Sequence, residues 1–245
     1  MKLLFSILLL GMINICNAQT VKCDCGVVLH NLNVYDKKTK KYIHSDSIWP
    51  SIKIWYNKKF VIEEIKGIIE NIDGYNKSKK ETVIERYTFI DLSKKAFYDY
   101  ASFSDTARIL EKYTQSDSIG IAGGWNFYYP VNFIITEQPE SLSDTIIDKI
   151  PYKRFKFINS LKQSNFRGRH IAYVRCDKKG SLFQFAKTLG DKIGCPIVRI
   201  DWSDEPFSNY KDSMEIVFLS DSLTHTEQKI FNAWERNEKK YPVSK

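Results

Sequence analysis

The chain has 245 residues, is 43% hydrophobic and 27% charged, and carries a formal net charge of +8. That apolar supply excludes a disordered chain and suffices for one large core or two small ones. The basic residues are dispersed over positions 37–41, 77–80, 167–169 and 239–240, which makes them a solubility device; with no nucleic-acid motif beside them, no nucleic-acid partner is expected.

Taken in chain order, residues 3–15 form an apolar run behind Lys2, interrupted only by Ser6, Gly11 and Asn14. The run is shorter than the ~20 apolar residues a membrane span needs and has the flanks of a secretory signal. Cys16 and Ala18 supply the small residues that a signal peptidase reads, so cleavage is expected between Ala18 and Gln19. Cys16 is also a candidate lipid anchor. Ile15 and Asn14 stand where a lipobox carries a small residue and its neighbour, so a lipoprotein is the weaker reading. The leader contains one charged residue, Lys2, so the mature chain carries +8 − 1 = +7. No second apolar stretch is long enough to span a membrane.

Four cysteines follow the leader: Cys23, Cys25, Cys176 and Cys195. An even count in an exported chain favours disulfides, with three pairings open. A Cys176–Cys195 bridge closes a loop of about twenty residues and is the favoured one, stabilising by about 3 kcal/mol. A bridge within Cys23-Asp24-Cys25 closes a small, strained ring, and crossed bridges to the late pair are equally allowed. The Cys-x-Cys pair is also a candidate thiol or metal site, with His30 the nearest further donor.

The remaining pattern is β-rich. Residues 33–35 and 42–44 flank the polar DKKTKK and predict a hairpin. SIKIWY alternates, with Ile52, Ile54 and Tyr56 on one side. FVIEEIKGIIENI places Val61, Ile65, Ile68, Ile69 and Ile72 on a helical face, yet its isoleucines and Gly67 favour a strand. Asp73-Gly74 then turns it into ETVIERYTFIDL, so a long hairpin is predicted. AFYDYASF is an aromatic strand. SDTARILEKYTQ, with Ser104 or Asp105 as a cap, predicts a short internal helix.

Residues 116–124 read as a loop, followed by the aromatic WNFYYPVNFIITE. The strand signal resumes over 143–158. Lys178-Lys-Gly180 is read as a turn from HIAYVRC into SLFQFAKTL, and CPIVRIDW and MEIVFL are the last strands. Thr224-His-Thr-Glu227 is a capping box. Leu223, Ile230, Phe231, Trp234 and Tyr241 behind it form one helical face for docking on the sheet. With no repeat or linker, residues 19–245 read as a single α+β domain: a mainly antiparallel, curved sheet with a C-terminal amphipathic helix.

Nothing in the sequence matches GxSxG, HExxH or a P-loop, and no cofactor is expected. The four histidines, at 30, 44, 170 and 225, show no ligand spacing. Carboxylates are plentiful, so a paired-carboxylate site stays open. Two stretches carry binding chemistry. GGWNFYYP offers Trp125, Phe127, Tyr128 and Tyr129 to an apolar pocket with polar tips, set against ordinary packing under the sheet. FRGRH offers Arg167, Arg169 and His170 to a carboxylate or phosphate, set against a solvated turn.

Residues 130–202 resemble the secreted GLPGLI family of Bacteroidota. The resembling pieces are NFIITE, IPYKRFKF, FRGRHIAYV and KIGCPIVRID, with Gly194-Cys-Pro-Ile-Val in the place of the family's Leu-Pro-Gly-Leu-Ile and Pro151-Tyr-Lys-Arg in that of its Gly-Tyr-Lys-Cys. The resemblance implies a secreted, β-rich protein and carries over no catalytic residue. By analogy of shape alone, a curved sheet with a helix also resembles periplasmic lipoprotein carriers, which hold acyl chains between the two.

The expected function is therefore that of an exported, non-enzymatic protein, periplasmic or secreted, that binds an apolar or amphipathic ligand or an envelope partner. An exported enzyme acting on envelope or extracellular polymers, and a thiol or metal protein using Cys23 and Cys25, are the alternatives.

Overall fold

The computed structural model describes residues 25–44, 50–72, 78–114, 138–160, 167–179, 181, 183–205 and 211–243. Twelve strands form one sheet: β1 (Gly26–Asp36), β2 (Lys41–His44), β3 (Ile52–Tyr56), β4 (Phe60–Ile72), β5 (Ser78–Asp91), β6 (Ala96–Tyr100), β7 (Ile109–Thr114), β8 (Glu140–Ile147), β9 (Ile150–Ser160), β10 (Arg167–Val174), β11 (Ile197–Glu205) and β12 (Lys211–Ser220). Among the described residues two helices accompany them, α1 (Lys187–Ile193) and α2 (His225–Lys240), with a 3-10 turn at Cys176–Lys178.

The order across the sheet is β7-β6-β5-β4-β3-β1-β12-β11-β10-β9-β8, with β2 pairing to β1 beside it. Among the described residues every strand pairing is antiparallel, and the sheet is open and curved. Most strands pair with a neighbour in sequence, β10 and β11 across the intervening 3-10 turn and α1, whereas β1 pairs with β2, with β3 and with the late strand β12. That single long-range pairing joins an early half, β3–β7, to a late half, β8–β12. β7 and β8, consecutive in the chain, end up on opposite edges.

Where β3–β6 lie side by side, the early half is buried on both faces. Along β3, Ile54 and Tyr56 face one core and Trp55 the other; along β4, Val61 opposes Phe60 and Ile62; Phe89 and Ile90, then Phe97 and Tyr98, divide the same way. One of these cores is closed by α2, whose Ile230, Phe231, Ala233 and Trp234 lie on Trp55, Phe89 and Tyr100. Trp234 is fully buried, stacks on Tyr100 at 3.9 Å between ring centroids, and meets Phe89 edge-on. The other core runs along the sheet into the late half, where Phe183, Phe185, Ala186 and Leu189 fill it from the segment leading into α1.

The helix starts where the capping box places it. The Thr224 hydroxyl accepts from Glu227 N–H, and the Glu227 carboxylate accepts from Thr224 N–H at 2.7 Å and from Trp55 Nε1 at 2.7 Å. That last bond ties the cap to β3. Glu238, nearly at the other end, is buried against Lys94 in the β5–β6 turn.

Two expectations are corrected. Residues 109–114 are not helix but strand β7. Ser104 serves a tight turn instead of a cap: its hydroxyl accepts from Thr106 N–H at 3.2 Å and its carbonyl from Ala107 N–H at 3.2 Å. The turn delivers Ile109 opposite Tyr100 and Tyr113 opposite Phe97. Pairing with β6 thereby outweighs a weak local helix preference. SLFQFAKTL is likewise not the hairpin partner of β10, because β9 and β11 already occupy both sides of that strand. Phe185 makes a single bridge, to Ile197, before Ala186 turns left-handed (φ 45°) and α1 begins.

Candidate functional site

A surface groove of about 600 Å³ lies where β7, the turn before it and the end of α2 meet. The sequence builds it in three steps. The turn at 104–107 is fastened to the helix, because Trp234 Nε1 donates to the Ser104 carbonyl at 2.9 Å. The chain then enters β7 through Arg108, whose carbonyl accepts from Ala101 N–H at 3.2 Å. A register shift between Asp99 and Tyr100 leaves Leu110 as an extra residue on β7, which bulges the strand.

The lining is amphipathic. Ile109 and Ala107 pack against the helix-side core, while Leu110 and Tyr241 stand 46% and 44% exposed. Tyr241 was expected on the docked helical face; it lies instead just beyond α2, its N–H bonded to the Asn237 carbonyl at 2.8 Å. Polar groups rim the apolar floor. Asp105 pairs with Lys229 at 2.8 Å, and the hydrogen bond from Lys229 holds its carboxyl below the usual range. Lys112 Nζ donates to the Pro242 carbonyl at 3.1 Å. Arg108, Lys112, Asp105 and Glu111 supply two charges of each sign to the lining.

A second constellation sits on the late half of the sheet. Arg199 and Asp201 share one side of β11, two residues apart; Tyr173 lies across from Arg199 on β10 and Glu215 across from it on β12. Arg199 Nε donates to Asp201 at 2.8 Å, and Tyr173 Oη donates to the other Asp201 oxygen at 2.7 Å. The guanidinium lies 5.1 Å from the Tyr42 and the Tyr173 ring centroids, with Glu215 at 3.9 Å. Burial alone would weaken the Arg199 cation, but Asp201 and Glu215 outweigh it. Burial raises Glu215, and burial with the Asp201 charge pushes Tyr173 up to about 12. Arg199 and Asp201 are 9% and 7% exposed, which makes this a satisfied ion pair inside the fold. Its signature was present in CPIVRIDW, where an Arg and an Asp alternate with apolar residues, and sequence reading passed over it.

The residues singled out in the sequence are scattered. Trp125, Phe127, Tyr128, Tyr129 and Cys23 lie outside the described residues. Arg167 opens β10 opposite Ser160 and Glu205. Arg169 is exposed on the same strand, and the alternating strand turns the next residue, His170, to the opposite face. His170 is buried and stacked on Phe157 at 5.0 Å, and burial lowers it to about 4. The Cys176–Cys195 disulfide is present, with Cα atoms 4.7 Å apart. It rules out the crossed pairings and encloses the Phe183–Leu189 segment that fills the core. Cys25 is a disulfide cysteine as well, and buried, which takes it out of the thiolate form that metal ligation needs. Among the described residues no cluster of three or more His, Cys, Asp or Glu side chains is placed to hold a metal ion, and no helix is long and apolar enough to cross a membrane.

No protein-family model and no curated protein sequence matches the chain. Among solved structures, the chain is similar to a LolA superfamily protein from Nitrosomonas europaea, over 80% of this chain and 88% of that one, at 9% identity and a TM-score of 0.21. A superposition that loose equates neither the folds nor the functions of the two proteins.

Proposed function

We propose that the chain is an exported binding protein without catalytic activity, and that an amphipathic ligand or envelope partner seats in the groove between β7 and the end of α2. The observation that carries this reading is the groove itself. Its volume falls within the range of small-ligand sites, and it combines an apolar floor with a few placed polar groups. Leu110 and Tyr241, large side chains left nearly half exposed, supply contact area that the fold does not use. Export is supported by the leader-like residues 1–18 and by the Cys176–Cys195 bridge, since disulfides persist in oxidising compartments.

The test is titration of the mature protein with 1-anilinonaphthalene-8-sulfonate, a probe with an apolar ring system and an anionic head. Saturable binding at one site is expected, weakened at least 10-fold by Leu110→Glu with the melting temperature unchanged. Non-saturable fluorescence, or equal affinity in Leu110→Glu, would refute the assignment of the groove.

A further inference from the structure

We propose that Lys94 and Glu238 form a positioning clasp, which fixes the last turn of α2 against the β5–β6 turn and thereby sets one wall of the groove. This rests on the groove being the binding site and adds two residues, both outside its lining, on which its shape depends.

Glu238 breaks two local rules. Ile230, Trp234 and Glu238 follow one another at four-residue spacing down the core-facing stripe of α2. The first two are apolar; the third is a carboxylate only 2% exposed. It also lies two residues before the end of the helix at Lys240, where the helix dipole disfavours an anion. A leucine there would avoid both costs. A charge kept where an apolar side chain would serve is expected where position matters more than stability.

Its partner is presented by a fastened turn. Asp91, buried at the end of β5, accepts through Oδ1 from the Ser93 N–H at 2.8 Å, the Ser93 hydroxyl at 2.6 Å and the Lys94 N–H at 3.1 Å. The other Asp91 oxygen lies 3.5 Å from Lys94 Nζ. Lys94 Nζ in turn donates to Glu238 Oε1. The Lys94 side chain is 57% exposed and that of Glu238 3%, so the ammonium keeps much of its water while it meets the buried carboxylate. Apolar contact would hold the helix end but let it slide. A charged hydrogen bond holds it at one distance and one direction.

The held turn belongs to the groove. Asn237 precedes Glu238 and Tyr241 follows it by three residues, and both line the groove. The Tyr241 N–H bonds the Asn237 carbonyl at 2.8 Å, so the two move with this turn. Trp234 is the last buried apolar residue within α2, which leaves Glu238 as the buried contact of the helix end. On the other wall, β7 pairs with β6, and Lys94 sits in the turn that opens β6. The clasp therefore ties the two walls together from outside the groove.

The experiment compares the mature protein with Lys94→Arg, which keeps the charge and the reach, and with the apolar pair Lys94→Met with Glu238→Leu. The apolar pair is expected to fold with an undiminished urea midpoint, because a buried ion pair replaced by apolar residues is neutral or stabilising. Its Asn237–Tyr241 amides are nevertheless expected to exchange about 10-fold faster, as the helix end opens locally. Its groove should bind the anilinonaphthalene probe about 10-fold more weakly, as a site with a loosened wall does. Lys94→Arg is expected to match the parent protein in both readouts. Unchanged exchange or unchanged probe affinity in the apolar pair overturns the clasp, and so does an equal loss in Lys94→Arg. A urea midpoint that falls in step with affinity makes the pair ordinary structure and also overturns it. Failure of the groove reading looks different: the parent protein then binds no probe at all, and the clasp falls as a device for binding whatever the exchange rates show.

Discussion

The two halves of the sheet solve burial differently. Over Ile54–Tyr56, Phe60–Ile62, Phe89–Ile90 and Ala96–Tyr98 successive side chains are buried on both faces, because α2 closes one core and the other runs on to the Phe183–Leu189 segment. In β9–β12 one face joins the apolar core through Phe157, Ala172, Ile200 and Met214, while the opposite face buries Arg199, Asp201 and Ser213. The early half is held by stacked aromatic rings, the late half by a charged network on one side of an otherwise ordinary strand pattern. The groove forms where the aromatic cover stops, at the last turn of α2 and the last strand of the half it covers. A binding surface at the boundary of a rigid core is positioned by that core without being part of it.

The largest expected effect comes from removing the cover. Trp234→Ala deletes the ring stacked on Tyr100 and the bond to the Ser104 carbonyl and should cost about 4 kcal/mol. Because that bond fastens the turn beside β7, probe binding in the groove should be lost along with stability. A variant that unfolds at lower urea yet binds the probe as tightly would show that α2 does not position the groove.

In the late half the corresponding change is Arg199→Met, which leaves Asp201 buried with only Tyr173 as a hydrogen-bond donor and should cost about 3 kcal/mol. Here the groove should be untouched. The double variant Arg199→Met with Asp201→Leu should recover most of the loss, because a buried pair replaced by apolar residues is close to neutral. A double variant as unstable as the single one would mean that the network contributes stability of its own.

Acid acts through buried histidines on the joining strand β1 and on β10 of the late half. Burial, with the nearby His44, lowers His30 to about 3, and burial lowers His170 to about 4, against an ordinary 6.5. Both rings stay neutral in the folded protein across a range where the unfolded chain takes up protons. Stability therefore falls as pH drops from about 6.5 toward 4, by about 2.5 kcal/mol for the two together between pH 7 and 5.5. His170→Phe, which keeps a ring on Phe157, should remove about half of that slope in urea unfolding. An unchanged slope would show that His170 is not held neutral.

The same contrast decides what could be read from the sequence. CPIVRIDW alternates cleanly, and it is a strand with one apolar face. FVIEEIKGIIENI gave helix and strand signals together, because Phe60, Val61 and Ile62 are buried on both faces while the adjacent Ile68 and Ile69 are left exposed, and a run with either feature loses its period of two. The capping box was legible because it is local chemistry. The turn at Ser104 used the same kind of residue for a different purpose, and only the pairing of β7 with β6 settles which. The groove was illegible: its walls lie more than 120 positions apart in the chain, and Tyr241 was assigned to the docked face of the helix. The favoured Cys176–Cys195 bridge was legible from spacing and flanking strands.

The smallest effect concerns the β8–β9 hairpin, read in sequence as one continuous strand signal. Its two-residue turn is Asp148-Lys149, at φ 49° and 67°. Both residues are left-handed, as a tight turn matching the twist of its strands requires, and the usual solution is Asn-Gly. Lysine carries a Cβ into that region at a cost of about 1 kcal/mol, which explains why no turn signal was visible. Lys149→Gly relieves the strain but adds freedom to the unfolded chain, so a gain of about 0.5 kcal/mol is expected, read as a higher urea midpoint with an unchanged slope. The turn belongs to the edge opposite the groove, with the whole sheet between them. Probe affinity at β7 should therefore stay constant; a shift would mean that the two halves respond as one body and that the boundary between them is not mechanical.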